Sequence, residues 1–475
     1  MRVPLRRRAL LLSLVAVVGC SDDDPDPLFP DPEPDPTRYV IPGDFSSIGE
    51  ALRATTVGDT VLVGPGTYAE RDLVVPRSVH LIGAGADRVV IDATGLGGGS
   101  WPVVQTSDRI QDGRPARIRG LRVRGDTQVL LSAGDGDHVF VDACVFESST
   151  QGVRIDAPRS FAQAVFDSCV FRDVEAEQGA AALAVRGYAD VVVRQCTFRD
   201  NRGESGPALR LDATLGTVQV LGSTFVDNQT DDTIAPEAAV GGAVVAHRVQ
   251  DLEFRSCTFE NNVSRTGGGA VFVRRARQVL VDGGTFRGNR GGSDGGAMRI
   301  DDVSRFVLAD VDLFDNEARH GGALHLRDTR AFVNWCVFAR NGVSIDTEGD
   351  SSGGAIRLDQ NVRIDVDASI FHANRARGFA GRADEEGGGS SLYSTSSDLL
   401  TNVLALNGSA LVHAPEGEPL GGAFAELLVR TTNVFGNVDG DWVGLLAEFE
   451  GVGGNTSVEP DFCAPEADDF EPCGS

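Results

Sequence analysis

The feature of this sequence that most constrains its fold is an internal repeat. A Gly-Gly-Ala step, or a close variant, is followed 18 residues after its first Gly by a large apolar residue, as from Gly268 to Phe286. A repeat this short cannot bury an apolar face alone, so neighbouring repeats must stack to form a core. The predicted apolar anchors are Phe146, Phe171, Phe198, Phe225, Phe259, Phe286, Leu313, Phe338, Phe371 and Leu404.

Each repeat predicts one coil of three short strands. Alternating apolar and polar residues between Gly and Asn are typical of short strands, with Leu324 and Leu326 pointing inward in one coil. From Phe198 onward, an Asn follows each anchor by three residues, up to Asn407. Asn tolerates left-handed backbone geometry, and its amide can bond to the next coil. The predicted fold class is therefore all-β, a single-stranded parallel β-helix solenoid.

A short helix is predicted before the repeats. Ser47 and Glu50 fit a capping box, and Ile48, Ala51 and Leu52 form one apolar face. We expect this helix to cap the N-terminal end of the solenoid.

Two stretches carry a family resemblance. "FSSIGEALRATTVGDTVLVGPGTYAE" resembles the entry segment of right-handed β-helix proteins of the pectin-lyase-like superfamily. "GGAV…FRGN" and "GGAI…FHAN" resemble the repeats of polymorphic outer-membrane proteins. The resemblance covers residues 38–455 and implies a right-handed parallel β-helix. Its fold hosts both enzymes and non-catalytic surface proteins, and the Asn-Thr-Asp and Arg-Ile-Lys motifs of polygalacturonase-like members do not occur here.

The N-terminus predicts export and anchoring. Residues 1–19 have a basic start and a short apolar run, and they end in "VVGC", which resembles the lipobox of bacterial lipoproteins. The resemblance implies lipidation of Cys20, whereas the alternative is an ordinary signal peptide. Residues 20–37 form an acidic, Pro-rich tether. We therefore expect a cell-envelope protein held to a membrane by lipid, with Ser21 resembling outer-membrane sorting, either periplasmic or surface-exposed.

The net charge and the positions of the cysteines restrict which partners and reactions are expected. A formal net charge of −26 argues against nucleic acid as a partner. Five cysteines lie two residues before an anchor. They could form a reactive ladder or act as small, buried apolar side chains. Ser223 and Ser369 occupy the same position in other repeats, which favours burial. In the acidic tail, residues 456–475, Cys463 and Cys473 predict a disulfide in an oxidising envelope.

Outward carboxylates are the candidate site. In "RIDVDASIFHAN", Asp365 and Asp367 point out of one strand, with Asn334 one coil below, and Asp398 is expected to stack on Asp365. Such a group could bind Ca²⁺ or act as an acid/base pair. A second outward row alternates in sign and is interpreted as a structural charge ladder. Its members are Arg186, Asp212, His247, Arg274, Asp301, Arg327 and Asp359.

Two functions follow from these features. The first is a non-catalytic surface scaffold for binding or adhesion, with polysaccharide or cell-surface proteins as partners, because variable loops lie over a constant framework. The alternative is a Ca²⁺-dependent polysaccharide lyase or glycoside hydrolase that uses Asp365 and Asp367. His247, His320 and His325 are interpreted as surface or turn residues.

Overall fold

Successive repeats form stacked coils in the computed structural model of this protein. Almost every strand pairs in parallel with the strand one coil later, as when Val271–Arg274 of one coil aligns with Met298–Asp301 of the next. The structure describes residues 36–97, 102–107, 114–126, 129–176, 181–231, 240–342, 353–374, 392–394, 403–407, 410–412, 420–422, 426–435, 441–442, 444–459, 462–464 and 467–472. The predicted signal peptide, Cys20 and most of the tether lie outside these ranges.

The strands, in chain order, fall into an N-terminal, a central and a C-terminal group. The N-terminal strands are β1 (Arg38–Ile41), β2 (Thr60–Val63), β3 (Gly66–Tyr68), β4 (Leu73–Pro76), β5 (His80–Gly83), β6 (Val89–Asp92), β7 (Val104–Ser107), β8 (Ala116–Arg119), β9 (Arg122–Arg124), β10 (Leu131–Ala133), β11 (His138–Asp142) and β12 (Val145–Ser149). The central strands are β13 (Val153–Asp167), β14 (Val170–Ala176), β15 (Leu183–Arg194), β16 (Thr197–Arg199), β17 (Arg202–Gly203), β18 (Leu209–Asp212), β19 (Thr217–Leu221), β20 (Thr224–Val226), β21 (Gln229–Thr230), β22 (Val244–Glu260), β23 (Val263–Ser264), β24 (Val271–Arg287), β25 (Arg290–Gly291), β26 (Met298–Phe314), β27 (Leu324–Asn334), β28 (Val337–Ala339), β29 (Ile356–Leu358), β30 (Arg363–Asp367) and β31 (Ile370–His372). The C-terminal strands are β32 (Leu392–Ser394), β33 (Val403–Asn407), β34 (Ala410–Val412), β35 (Leu420–Gly422), β36 (Glu426–Arg430), β37 (Asn433–Phe435), β38 (Phe462–Ala464) and β39 (Asp469–Pro472).

The predicted anchors form a column of aromatic rings inside the coils. Phe171, Phe198, Phe225 and Phe259 stack with ring centroids 4.5, 4.7 and 4.6 Å apart. Each of these rings is buried. The spacing matches the separation of neighbouring strands, about 4.8 Å, so the same side chain recurs wherever the coil returns to the same position. One coil thus supplies the packing surface for the next.

A ladder of buried Asn side chains follows the anchors. The Asn201 amide donates to Asn228 Oδ1 at 2.9 Å and to the Phe171 carbonyl at 3.1 Å. The same bonding continues through Asn228, Asn262, Asn289, Asn316, Asn341 and Asn374. This confirms the predicted amide ladder. The left-handed backbone conformation, however, belongs to the preceding residue, such as Asp200 (φ 56°) or Asp227 (φ 53°), rather than to the ladder Asn.

The last predicted anchor is wrong. Leu404 pairs with Ile364 on the second strand of the coil, and the residue that pairs with Phe371 is Leu411. Asn407 therefore pairs with Asp367 and not with a member of the Asn ladder. The local pattern misleads because "NVLALN" imitates the anchor-plus-Asn spacing one strand too early.

The internal cysteines behave as small apolar side chains. Burial raises the pKa of Cys144 to about 12, which leaves its thiol protonated and unreactive. Ser223 and Ser369 are equally buried in the same slot. The buried cysteines are Cys144, Cys169, Cys196, Cys257 and Cys336.

The N-terminal helix α1 (Ile48–Ala54) forms as predicted. The Ser47 side chain accepts a hydrogen bond from the Glu50 backbone N–H at 3.2 Å, while Ile48, Ala51 and Leu52 are buried. The Glu70 carboxylate accepts from two further N–H groups of the first turn, both at 2.8 Å. Within the described part of the chain, no helix combines the length and apolarity required to cross a membrane.

The C-terminal end folds back onto earlier coils. A 3₁₀ helix spans Gly444–Phe449, and strands β38 and β39 form an antiparallel hairpin that pairs Phe462 with Pro472. Phe462 packs against an outward apolar patch that includes Phe314 and Ala339. Cys463 is exposed, and its predicted partner Cys473 lies outside the described residues, so the disulfide stays a prediction.

Candidate functional site

The two predicted carboxylates lie where the alternation placed them. In β30, Ile364 and Val366 are buried, while Asp365 and Asp367 point outward. Asn334 pairs with Asp367 from the coil below, as expected.

The residues that pair with these two aspartates from the next coil are not the predicted ones. The next strand along the solenoid is β33, which places Ala405 beside Asp365 and Asn407 beside Asp367. Asp398 lies outside the described residues. The insertion before β33 contains no fixed spacing that could set the register, which is why the sequence pattern chose the wrong residues.

Calcium coordination at this face stays a prediction. Among the residues that the structure describes, no group of three or more His, Cys, Asp or Glu side chains is arranged to hold a metal ion. Asp365 lies between Phe332 and Ala405, and Asp367 lies between two Asn residues.

A polar cluster that the sequence analysis missed lies on the first strands of three successive coils. Arg299, His325 and Arg357 occupy the same outward position on three successive coils. His325 is only 2% exposed, so it is not the surface or turn residue expected from the sequence. The turns that carry Gly-Gly-Ala pass over this row and bring Asp294 and His320 against it.

His325 joins two carboxylates from different coils. Its Nε2 atom lies 3.0 Å from Asp359 Oδ2, and its Nδ1 atom lies 3.1 Å from Asp294 Oδ1. Two guanidinium groups complete the network. Arg299 contacts Asp294 at 2.6 Å and Asp301 at 3.0 Å, and Arg357 contacts Asp359 at 3.1 Å.

This arrangement shifts the pKa values of His325, His320, Asp294 and Asp359. Burial opposes the charge on His325, but the contacts with Asp294 and Asp359 outweigh it and raise the pKa of His325. Burial alone would also raise the carboxyl pKa values, yet His325 holds the pKa of Asp294 and of Asp359 below the ordinary value. For His320, burial and then the Arg357 charge lower the pKa to about 4.

The cluster has the chemistry of a structural ion network. His325, Arg299 and Arg357 carry positive charge against Asp294 and Asp359, and each charged group is committed to a partner. A general acid or base must be free to exchange a proton with a substrate. The sequence did hold a signal, because Arg299, His325 and Arg357 are each the second residue after Gly-Gly-Ala.

The predicted charge ladder is confirmed in its register. Arg274 pairs with Asp301, and Asp301 pairs with Arg327, on consecutive coils. Asp301 is 1% exposed rather than solvated, because Arg299 and Arg327 bracket it at 3.0 and 3.7 Å.

The most exposed large apolar side chain among the described residues is Trp335. Its side chain is 71% exposed, and its backbone has a left-handed φ of 57° in the turn between the second and third strands of a coil. Trp335 directly follows Asn334, the last residue of β27, and Asn334 pairs with Asp367 one coil later. We call Phe332, Asn334, Trp335, Asp365 and Asp367 the open face.

The chain matches a family model and resembles several solved structures. The model for the right handed beta helix region matches residues 109–293. The fold is a right-handed parallel β-helix. This fits the pectin-lyase-like superfamily expected from the sequence. No curated protein matches the chain significantly.

Several solved structures are similar in coil architecture. The catalytic domain of GH87 alpha-1,3-glucanase in complex with nigerose is 13% identical, over 84% of this chain and 67% of that chain, with a TM-score of 0.44. The Azotobacter vinelandii mannuronan C-5 epimerase AlgE6 A-module is 12% identical, over 89% of this chain and 100% of that chain, with a TM-score of 0.43. Because both TM-scores are below 0.5, neither activity is inferred from them.

Proposed function

We propose that this protein is a non-catalytic scaffold of the bacterial cell envelope that binds polysaccharide on the open face. Lipid attachment through Cys20 and placement at the outer membrane are part of the proposal, and the "VVGC" sequence supports them. The single observation that carries the binding function is the exposed indole of Trp335.

An exposed indole in a left-handed turn lowers the stability of the fold in two ways. A large apolar surface remains in water, and the left-handed conformation of a non-Gly residue costs about 1–3 kcal/mol. Equivalent turns on other coils use Gly222 and Gly283, which adopt this conformation without that cost, or small and polar residues such as Ser256 and Asp310. Flat apolar rings of this kind pack against the C–H faces of sugars, and the indole N–H can donate to a hydroxyl.

The polar groups of the open face suit the hydroxyl groups of a sugar chain. Asn334 provides an amide, and Asp365 and Asp367 provide carboxylate acceptors on the adjacent coil. Both aspartates point away from the core. An apolar platform with a few polar groups at its edge is the usual composition of a small-molecule binding surface.

Binding and turnover can be tested together on the full chain purified in detergent. The protein would be incubated with neutral and acidic polysaccharides, with and without Ca²⁺, while bound protein and newly released sugar ends are measured. We expect binding without release, and loss of at least about tenfold in affinity for Trp335→Ala, in line with removal of a stacking contact.

The matched control is Tyr188→Ala, which removes another exposed aromatic ring elsewhere on the solenoid. Equal loss in both variants, or binding to none of the polymers, would overturn the proposal. Release of sugar ends that disappears in Asp365→Ala and Asp367→Ala would make the protein an enzyme instead.

A further inference from the structure

The C-terminal hairpin, β38 and β39, covers an apolar patch on the outside of the solenoid. Phe462 packs into a small apolar cluster that is separate from the main core. Strand pairing places the other members of this cluster on two adjacent outward rows, because Phe314 pairs with Ala339 and Val337 pairs with Ile370. We call Phe314, Val337, Ala339 and Ile370 the tail patch.

The two rows of the tail patch are polar on the coils before it. Thr285 and then Asp312 precede Val337 on one row, and Arg287 precedes Phe314 on the other. The rows turn apolar where the hairpin lies. A contiguous apolar patch with a polar rim is typical of a surface that binds another chain.

The solenoid core is closed without the hairpin. Trp442 and Leu446, which follow the last coil, are buried in the main core. Asn455 donates to the carbonyls of Val429 and Phe449 at 3.1 and 2.9 Å and so closes the last turn. Strands β38 and β39 form a two-stranded sheet of their own, separate from the sheet of the solenoid. A hairpin of this size has little stability by itself, so its position depends on side-chain contacts with the patch.

Asp468, in the turn of the hairpin, joins two arginines beside the patch. Its Oδ2 atom lies 2.5 Å from Arg287 Nη2, and its Oδ1 atom contacts Arg340 Nη2. Both guanidinium groups also pair with Asp315, at 3.1 and 2.9 Å. Both lie over the Phe314 ring, 4.8 and 5.6 Å from its centre. The ring and Asp315 therefore hold two groups of donors ready for a further carboxylate.

The docked hairpin also carries a cost. Asp312 lies one coil before Val337, and burial, followed by the charges of Asp310 and Asp468, raises the pKa of its carboxyl. Like charges brought together in a partly buried site oppose each other. Because Asp468 reaches Asp312 only in the docked state, this repulsion weakens the docking of the hairpin.

We propose that the tail patch, together with Arg287 and Arg340, is a docking surface for an acidic, aromatic segment of a partner protein, and that the C-terminal hairpin occupies it as a built-in competitor. The contacts of the hairpin define the ligand: an aromatic side chain for the apolar rows and a carboxylate that reaches both arginines. A tethered competitor acts at an effective concentration of about millimolar, so the partner must bind more tightly than the hairpin to displace it. This function is separate from polysaccharide binding at the open face.

The probe for the test is a fluorescent synthetic peptide of residues 459–475, the hairpin supplied as a separate molecule. It carries Cys463→Ala and Cys473→Ala, so that no disulfide can form. Binding to the full chain in detergent would be followed by fluorescence anisotropy. A second peptide that also carries Phe462→Ala and Asp468→Asn is the negative probe.

Displacement is tested with a released variant of the protein, Phe462→Ala with Asp468→Asn, which removes the contacts of its own hairpin. The matched control is Phe161→Ala with Asp227→Asn, which removes a ring and a carboxylate at exposed positions away from the patch. We expect the released variant to bind the first peptide at least about tenfold more tightly than the wild type or the control, because the competitor is weakened. The negative probe should bind none of the three.

The role of the arginines is tested within the released variant. Adding Arg287→Gln and Arg340→Gln should reduce the affinity for the peptide at least about tenfold, because charge-assisted hydrogen bonds are lost. Arg340→Gln alone, which keeps the pair between Arg287 and Asp315, should lose part of the affinity and guards against misfolding of the combined variant. Arg186→Gln with Arg274→Gln, at exposed positions off the patch, should change little.

Each other outcome would overturn part or all of the proposal. Equal binding of the peptide to the wild type and the released variant would show that the hairpin does not compete for this surface. Binding that persists without Arg287 and Arg340 would place the peptide elsewhere on the solenoid. Binding to neither protein would make the hairpin a permanent clamp and remove the docking function, while leaving polysaccharide binding untouched.

Discussion

The Nε2 atom of His325 lies 3.0 Å from the Oδ2 atom of Asp359 on the next coil, and the imidazole is almost completely buried. This contact, together with that between His325 and Asp294, connects one Gly-Gly-Ala turn to the strand of another coil. We therefore expect the cluster to hold together the coils around the insertion at residues 343–352.

Removal of the imidazole should destabilise the solenoid strongly. In His325→Ala, Asp294 and Asp359 would lose their shared partner, and loss of one member of a buried ion pair costs about 3–5 kcal/mol. Denaturant unfolding of wild type and variant would measure the change. His247→Ala is the control, since that ring is half-exposed and lies 3.8 Å from Asp212. Equal, small effects in both variants would contradict the structural role of His325.

The same cluster predicts how stability depends on pH. The pKa of His325 is raised by folding, so its contribution is complete below the unfolded pKa of about 6.5 and is lost as pH rises through the folded pKa. The pKa of Asp359 is lowered, so its contribution is complete above the ordinary aspartate pKa and is lost as pH falls toward the folded pKa. We expect stability to fall above about pH 6.5.

Unfolding midpoints measured between about pH 5 and pH 9 would check this dependence, because this range covers the titration of histidine. His325→Gln should flatten the fall. Folding lowers the pKa of His247, through burial and then the Arg248 charge, which gives the opposite sign. His247→Gln should therefore leave the fall in place. A fall that persists in His325→Gln would show that another group causes it.

How much the sequence could predict differs between the core and the outward face. The anchors from Phe146 to Phe371 were found because a side chain that recurs on every coil must fit the ring above and below it. The sequence paired Asp398 with Asp365, where the structure has Ala405, because an outward residue after an insertion has no such constraint on its register. His325 was missed for another reason: its burial comes from a turn that crosses over the strand, which no periodicity in the strand itself records.

The Asn ladder should contribute stability at each step. Asn289 donates to Asn316 at 3.0 Å and to the Phe259 carbonyl at 2.9 Å, and it accepts from Asn262. Asn289→Ala would leave several buried polar groups unsatisfied, at a cost of about 2–3 kcal/mol. Thermal and denaturant unfolding would measure it, with the exposed Asn361→Ala as control. A cost no larger than that of the control would contradict the ladder's role.

Asp312 is expected to destabilise the fold at neutral pH. Burial, followed by the charges of Asp310 and Asp468, raises the pKa of its carboxyl. A carboxyl with a raised folded-state pKa disfavours folding once pH exceeds its unfolded pKa, so Asp312→Asn should raise the melting temperature at pH 7. The gain should vanish below about pH 3.9, where aspartate is protonated in either state. Asp227→Asn, at an exposed position, should change little, and a pH-independent gain would point to another cause.

Trp335→Gly separates binding from stability at the open face. Glycine adopts the left-handed conformation of this turn freely, whereas Trp335 is held there at φ 57°. We therefore expect the free energy of unfolding to rise by about 1 kcal/mol, while polysaccharide affinity falls at least about tenfold. Denaturant unfolding and affinity measurements on one preparation would give both values.

The matched control is Ala368→Gly at the equivalent turn of the next coil, which is also left-handed (φ 44°). This change relieves the backbone without removing a ring. If Ala368→Gly reduced binding as much as Trp335→Gly, the turn conformation rather than the indole would be responsible. A Trp335→Gly protein that binds normally would leave the exposed ring without a role in ligand recognition.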